Sequence, residues 1–288
     1  MSHARALRER VKMPGCRQVP GVYDGLSALL VERAGFEIAF LSGASLSYTR
    51  FGRPDLGLVS MDEVAQAVGV IRERTTLPLI VDADTGFGNA LNVQRTVREF
   101  EKAGASAIQL EDQVAPKRCG HMAGKQVVPA AEMLGKIRAA LDARRDPDTV
   151  IVARTDAHGV EGFGPALARA AAYADAGADW VFYEGPDTVE QMRAVAAAVR
   201  RPLVHNLVEG GRTPVTRVDQ LADLGYKVAL HPGFLVHLFT ALAPPMLARL
   251  RADGTSDALR DRLLDLGRVN ALLGADELLA AAARYAEH

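Results

Sequence analysis

The chain has 288 residues, 49% hydrophobic and 24% charged, with a formal net charge of -1; it can fill a large core in one or two domains, and it is too neutral to hold a partner by bulk electrostatics. No basic stripe suits nucleic acid, no run of 18 apolar residues suits a membrane span, and the N-terminal MSHARALRERVKMPG lacks the apolar stretch of a secretory signal. Two cysteines, Cys16 and Cys119, make neither a disulfide framework nor a CxxC site, so a reducing, cytoplasmic setting is expected.

Short apolar runs rich in β-branched residues recur along the chain, bounded by turn residues and separated by alanine-rich segments of helical period. The predicted strands are VPGVYD (19–24), EIAFLSG (37–43), LPLIVDAD (77–84), AIQLED (107–112), VIVARTD (150–156), WVFYEG (180–185), PLVHNL (202–207) and VALHPG (228–233). Four of them follow a related phrase in which a charged, alanine-rich helix stops at a glycine: Gly35, Gly104, Gly177 and Gly225. A left-handed helix end costs a glycine little, so these read as punctuation between helix and buried strand.

Eight strands alternating with helices predict a parallel sheet closed into a (β/α)8 TIM barrel, one α/β domain over 1–288. The rival, an open doubly wound sheet, lacks a GxGxxG after its first strand. Beyond the eighth strand, 235–288 reads as a helical extension that Pro244-Pro245 must break or kink and that Gly254-Thr255 divides. It carries more apolar surface than one barrel helix needs, so subunit contacts are expected.

The predicted strands end in polar residues, among them Ser42, Asp82, Asp84, Glu111, Arg154, Asp156, Glu184 and Asn206. Barrel active sites are built at those ends. Asp82 and Asp84 lie two apart, so on a strand their carboxylates share a face and can share a hard divalent cation, with Glu111 and Asp55 near it. The alternative is that one of the aspartates caps the following helix. Arg154 suits a substrate carboxylate or, equally, an ion pair with Glu184 or Glu111. Cys119, in PKRCGHMAGK, has Lys117, Arg118 and His121 as neighbours that favour a thiolate. Redox use would need a resolving cysteine, and a Cys-His metal pair would need more ligands, so the bare motif leaves a proton-exchanging thiol or an idle one.

Taken together, SGAS, GRPDLG, VDADTGFGN, LEDQ, PKRCGHMAGK, VARTDA, the glutamate of FYEG and NLVEGGRTP resemble the isocitrate lyase and phosphoenolpyruvate mutase superfamily, from about residue 15 to 270. KRCGH is that family's lyase signature. The resemblance implies a barrel whose C-terminal helices are swapped between subunits of a homotetramer. It implies Mg2+, with Mn2+ as a substitute, at Asp82 and Asp84, and Glu111 and Asp55 acting through water. Ser42, Gly43 and Ala44 would hold a 2-oxoacid, with Gly120 and His121 of the loop against it; Arg154 and Asn206 would bind carboxylate, Glu184 would order the site, and Cys119 would be the acid.

The implied reaction cleaves the bond between carbons 2 and 3 of a 2-hydroxy di- or tricarboxylic acid under a closing loop. Two positions depart from the methylisocitrate-cleaving pattern: His237 and the region of Leu266 stand where arginines for a third carboxylate are expected, although Arg268 is near the second. A dicarboxylate of substituted-malate type fits that loss better, and the motifs stand closest to the branch of dimethylmalate lyases, oxaloacetate hydrolases and carboxyphosphonoenolpyruvate mutases. Oxaloacetate hydrolysis, phosphonate chemistry and a non-catalytic 2-oxoacid-binding protein are the alternatives.

Overall fold

The computed structural model describes residues 2–120, 122, 124–211 and 213–286. Helix α1 (His3–Lys12) precedes β1 (Arg17–Val22), and α2 (Gly25–Arg33) leads to β2 (Ala39–Leu41). Helices α3 (Gly43–Phe51) and α4 (Met61–Arg74) separate β2 from β3 (Leu79–Asp82); α5 (Ala90–Ala103) precedes β4 (Ala107–Glu111), and α6 (Ala130–Ala143) precedes β5 (Val150–Thr155). Then come α7 (His158–Glu161), α8 (Phe163–Asp175), β6 (Trp180–Tyr183), α9 (Val189–Ala198), β7 (Leu203–Asn206), α10 (Val218–Asp223) and β8 (Tyr226–His231). The chain continues as α11 (Phe234–Asp253), a 3-10 helix (Asp257–Arg262), α12 (Leu266–Leu273) and α13 (Ala275–Ala286).

All eight strands are parallel and form a closed barrel in the order β1 to β8, with β8 returning to pair with β1. Each predicted strand is present, and the glycines at the four helix ends all take positive φ. The sequence runs looked apolar throughout because these strands are buried on both sides. Val19, Phe40, Ile80, Val152, Phe182 and Val228 fill the barrel interior, while neighbours such as Leu41, Val81, Ile108 and Ile151 face the helices.

The N-terminal end of the barrel is plugged by α1, whose buried Leu7 and Val11 join the interior cluster. Burial of each contributes about 1.5–3 kcal/mol. Arg8 on the same helix donates to Asp148 O at 2.7 Å and to Asp179 Oδ1 at 2.9 Å, so that end is pinned. The other end, where the strands finish, is the one left for chemistry.

The chain divides into two compact units, Met1–Val236 and His237–His288. The second unit holds the remainder of α11 and the elements after it, and α12 and α13 bury no residue. Helix α11 is continuous through Pro244 and Pro245, so the expected break does not occur there. The carbonyls that lose their N–H donors belong to Thr240 and Ala241, both exposed, where water can serve them. Among the described residues no helix is long and apolar enough to cross a membrane.

Candidate active site

Strand β3 ends at Asp82, and Asp84 lies beyond it with φ 46°. The expected mechanism of convergence, two residues apart on one strand, is therefore not how the pair meets. Asp84 N–H donates to Asp82 Oδ1 at 3.2 Å, and Glu111 N–H donates to Asp84 O at 2.8 Å. That turn brings both carboxylates to Gly43, where an added Cβ would stand 3.2 Å from Asp82 Oδ2 and 3.3 Å from Asp84 Oδ1. Neither aspartate caps the next helix, because Asn89 does so by accepting from Leu91 N–H and Asn92 N–H.

Lys117, expected to flank the thiol, instead sends its buried ammonium into the carboxylates. Its Nζ stands 2.7 and 2.8 Å from the two oxygens of Asp55 and 2.8 Å from Asp84 Oδ1. The contact with Asp84 is an ion pair off the line of a hydrogen bond. Burial alone would lower this lysine's proton affinity, but Asp84, Glu111, Asp82 and Asp55 raise it well above the ordinary value. Burial pushes Asp84 up to about 7 despite Lys117, with Asp82 and Asp55 adding to the rise, and burial likewise raises Glu111.

Of the two readings of Arg154, the structure shows the ion pair, with Asp156 as an added partner. Its guanidinium grips Asp156 at 2.8 Å (Nε to Oδ2) and 3.1 Å (Nη2 to Oδ1), meets Glu184 at 3.0 Å and lies 3.4 Å from Glu111. Asn206 Nδ2 donates to Glu184 Oε2 at 3.1 Å, so Glu184 joins β6, β7 and Arg154. Ser42 caps α3 by accepting from Ser45 N–H at 3.2 Å, which leaves Gly43 and Ala44 in the first turn, where a helix end attracts anions.

The described residues of 116–125, which are all but 121 and 123, lie in a loop closed at its base by a bridge between Gln113 and Val127. Gln113 holds its entry through both amide groups: Nε2 donates to Arg118 O at 2.9 Å and Oε1 accepts from Arg118 N–H at 3.0 Å. At its tip, Gly120 lies so close to the strand ends that an added Cβ would overlap Arg154 Nη2 and stand 3.0 Å from Glu184. The loop is thus seated over the site, with Cys119 half-buried beside it. His121, expected among the binding residues, lies outside the described residues.

Three contributors escaped the sequence reading as site residues: Lys117 in the carboxylate cage, Lys125 at the lid's far end, and Tyr48, whose phenol is raised by burial and by nearby Cys119 and Asp55. Asp156, read only as a polar strand end, lies under Arg154. Tyr48 stands four residues after Ala44 on α3, a helical spacing that puts the two on one face. That spacing was the available signal.

The donor set fits a hard divalent cation. Among the described residues, the carboxylates of Asp55, Asp82, Asp84, Glu111, Asp156 and Glu184 outnumber Lys117, Lys125 and Arg154, and Glu111 Oε1 is buried without a hydrogen bond. No group of three or more His, Cys, Asp or Glu among those residues is arranged to hold an ion outright.

The phosphoenolpyruvate phosphomutase family profile matches residues 7–245. Over 286 residues the chain is 40% identical to a 2,3-dimethylmalate lyase of Eubacterium barkeri, covering 99% of each. It is 46% identical over 257 residues to a 2-methylisocitrate lyase of Aeropyrum pernix, covering 89% of this chain and 82% of that one. Among solved structures, oxaloacetate acetylhydrolase with 3,3-difluorooxalacetate superposes with a TM-score of 0.91 at 32% identity, covering 100% and 98% of the two chains. A phosphonopyruvate hydrolase complex with oxalate and Mg2+ gives 0.89 at 30% identity, covering both chains completely.

Proposed function

The chain belongs to the phosphoenolpyruvate phosphomutase family, and from that premise we propose that it is a carbon-carbon lyase acting on a 2-hydroxy dicarboxylic acid of substituted-malate type. The observation that supports this reading is the seated loop, whose Gly120, next to Cys119 in the chain, lies against Arg154 and Glu184 beside the paired carboxylates. Asp82 and Asp84 would hold Mg2+ or Mn2+, with Asp55 and Glu111 near it through water. When bound, the ion supplies Lewis-acid stabilisation of developing oxyanion charge.

The chain's own residues do the rest. The first turn of α3, with Ser42, Gly43 and Ala44, takes the end of the substrate that becomes the 2-oxoacid, and Arg154 and Asn206 take carboxylate. Transfer of the hydroxyl proton to a buried strand-end carboxylate, for which Glu111 with its raised proton affinity is suited, lets the bond between carbons 2 and 3 break, carbon 2 becoming a carbonyl and carbon 3 keeping the electron pair. The thiol of Cys119 donates its proton to carbon 3 and is reprotonated after release. The loop excludes water while the carbanion exists.

Hydrolysis of oxaloacetate is the second reading, favoured by the whole-chain likeness to an acetylhydrolase. A screen of the purified protein with Mg2+ against 2,3-dimethylmalate, citramalate, 2-methylisocitrate, isocitrate and oxaloacetate tests both. Pyruvate or glyoxylate from a hydroxy acid supports the lyase; oxalate from oxaloacetate supports the hydrolase; no turnover of any sinks both.

The metal assignment has its own signature. Chelation is expected to abolish activity, with Mg2+ or Mn2+ restoring it, and full activity after exhaustive EDTA treatment would end the assignment. Because burial pushes Asp84 up to about 7, a proton and the cation compete there, and calorimetric Mg2+ affinity should weaken as the pH falls below that value.

A second copy of this chain is the proposed partner, in a homotetramer with exchanged C-terminal helices. The first unit carries an apolar groove lined by Pro20, Leu30, Val31, Phe36, Phe234 and Leu235, and the second exposes Leu238, Phe239, Leu242 and Leu247. Exposed apolar faces of this kind mark interfaces. The molecular mass in solution decides it, a monomer at working concentration being the contrary result.

A further inference from the structure

The structure assigns Asp156 a positioning role: its single carboxylate receives Lys125 from the lid and Arg154 from β5, so that seating the lid and aiming the guanidinium are one event. The inference rests on the reading of Arg154 as the carboxylate-binding group, and it adds two residues that the reading does not need.

The post is fixed. Asp156 is fully buried, and its N–H donates to Asp112 Oδ1 at 2.9 Å. Asp112, also fully buried, accepts from Thr155 Oγ1 at 2.7 Å and from Tyr173 OH at 2.8 Å, with Arg169 Nη1 at 3.5 Å. Three elements, β4, β5 and α8, therefore hold one carboxylate in place. Both Asp156 oxygens engage Arg154, a two-point grip that sets the guanidinium plane as well as its position.

The visitor is Lys125. Its side chain is 8% exposed, and its Nζ donates to Asp156 Oδ1 at 3.0 Å and to Gly120 O at 2.6 Å. The ammonium thus ties the lid's tip to its own far end and both to the strand end. It shares Oδ1 with Arg154 Nη2, so the two cations can approach only because Asp156 lies between them. Burial would raise the Asp156 carboxyl, but Arg154 and Lys125 hold it well below the carboxylate range, which keeps the anion available to both.

The consequence is a lid whose closed state depends on a residue outside the catalytic set. Hydrogen exchange of the segment 116–125, without ligand and with oxalate plus MgCl2, reads the lid directly. Lys125→Met should speed lid exchange by about 10- to 100-fold, the worth of a buried charge-assisted bond, while leaving α6 and α8 unchanged.

In steady-state assays the same variant should lose kcat more than it changes KM, and Lys125→Arg should restore most of the loss. Lys125→Met combined with Asp156→Asn should be no worse than Asp156→Asn alone, because the two act as a unit. Unaltered lid exchange in Lys125→Met, or losses that multiply in the double variant, would overturn the proposal. If Asp156→Asn fails to fold, lid exchange in Lys125→Met decides alone. Exchange needs no turnover, so a wild-type protein inactive in the substrate screen defeats the lyase reading and leaves this one to be judged.

Discussion

Gly120→Ala is expected to lower kcat by at least about 100-fold, because a displacement of an ångström at a reacting centre has that effect. The added methyl would overlap Arg154 Nη2 and crowd Glu184. Arg154 is held by Asp156, Glu184 and Glu111, and Glu184 also by Asn206. The strand ends therefore cannot yield, and the lid must rise instead. The fold should be untouched, since the substitution lies in a loop, so thermal unfolding should match wild type while turnover collapses and lid exchange accelerates. A variant that turned over like wild type would show that the seated position is dispensable for the reaction.

Cys119→Ala is expected to lower kcat by about 10²- to 10⁴-fold, the usual contribution of a positioned acid, with KM and calorimetric oxalate affinity changed only a few-fold. The asymmetry follows from the division of labour: anion binding belongs to the first turn of α3 and to Arg154, whereas the thiol meets only the carbanion. Cys119→Ser should be nearly as poor, because a hydroxyl is a far weaker acid than a thiol. Retention of wild-type kcat in either variant, on a substrate the enzyme cleaves, removes Cys119 from the mechanism.

The barrel was legible because its strands have helices outside and a packed interior within, so each is a nearly unbroken apolar run that stops at a polar residue. The glycines at 35, 104, 177 and 225 mark the helix ends for a local, conformational reason. Asp82, Asp84, Glu111, Arg154, Glu184 and Asn206 stood out because carboxylates, a guanidinium and an amide concentrate at the ends of such runs beyond what meeting solvent requires.

What stayed hidden depends on distant pairings. Lys117 sits in a polar, glycine-rich loop and reads as solvated, yet it is 5% exposed and ringed by Asp55 and Asp84. Its fate is set by residues 62 and 33 positions earlier, which no local pattern encodes. The post formed by Asp112 and Asp156 needs strands β4 and β5 side by side before either aspartate has a purpose. Asp84 misled in the opposite way: the period-two rule gave the correct partner through the wrong geometry, because the chain had already left the strand. Pro244 and Pro245 do not break the helix, because a helix breaker is judged by the bonds it deletes, and the carbonyls affected belong to Thr240 and Ala241, exposed in the single chain.

The seam between β1 and β8 has a consequence for how the molecule is made. Arg17 pairs with Val228 and Pro20 with His231, so the first strand to leave the ribosome waits for the last before the cylinder can shut. At about 5–20 residues per second of synthesis, that wait runs to tens of seconds. Throughout it, β1 and each newest strand present an unpaired edge. Pairings this remote in sequence also make refolding slow. The nascent chain is therefore most exposed to aggregation just before β8 emerges, and substitutions that weaken the seam should lower yield from the cell before they lower the stability of the finished protein.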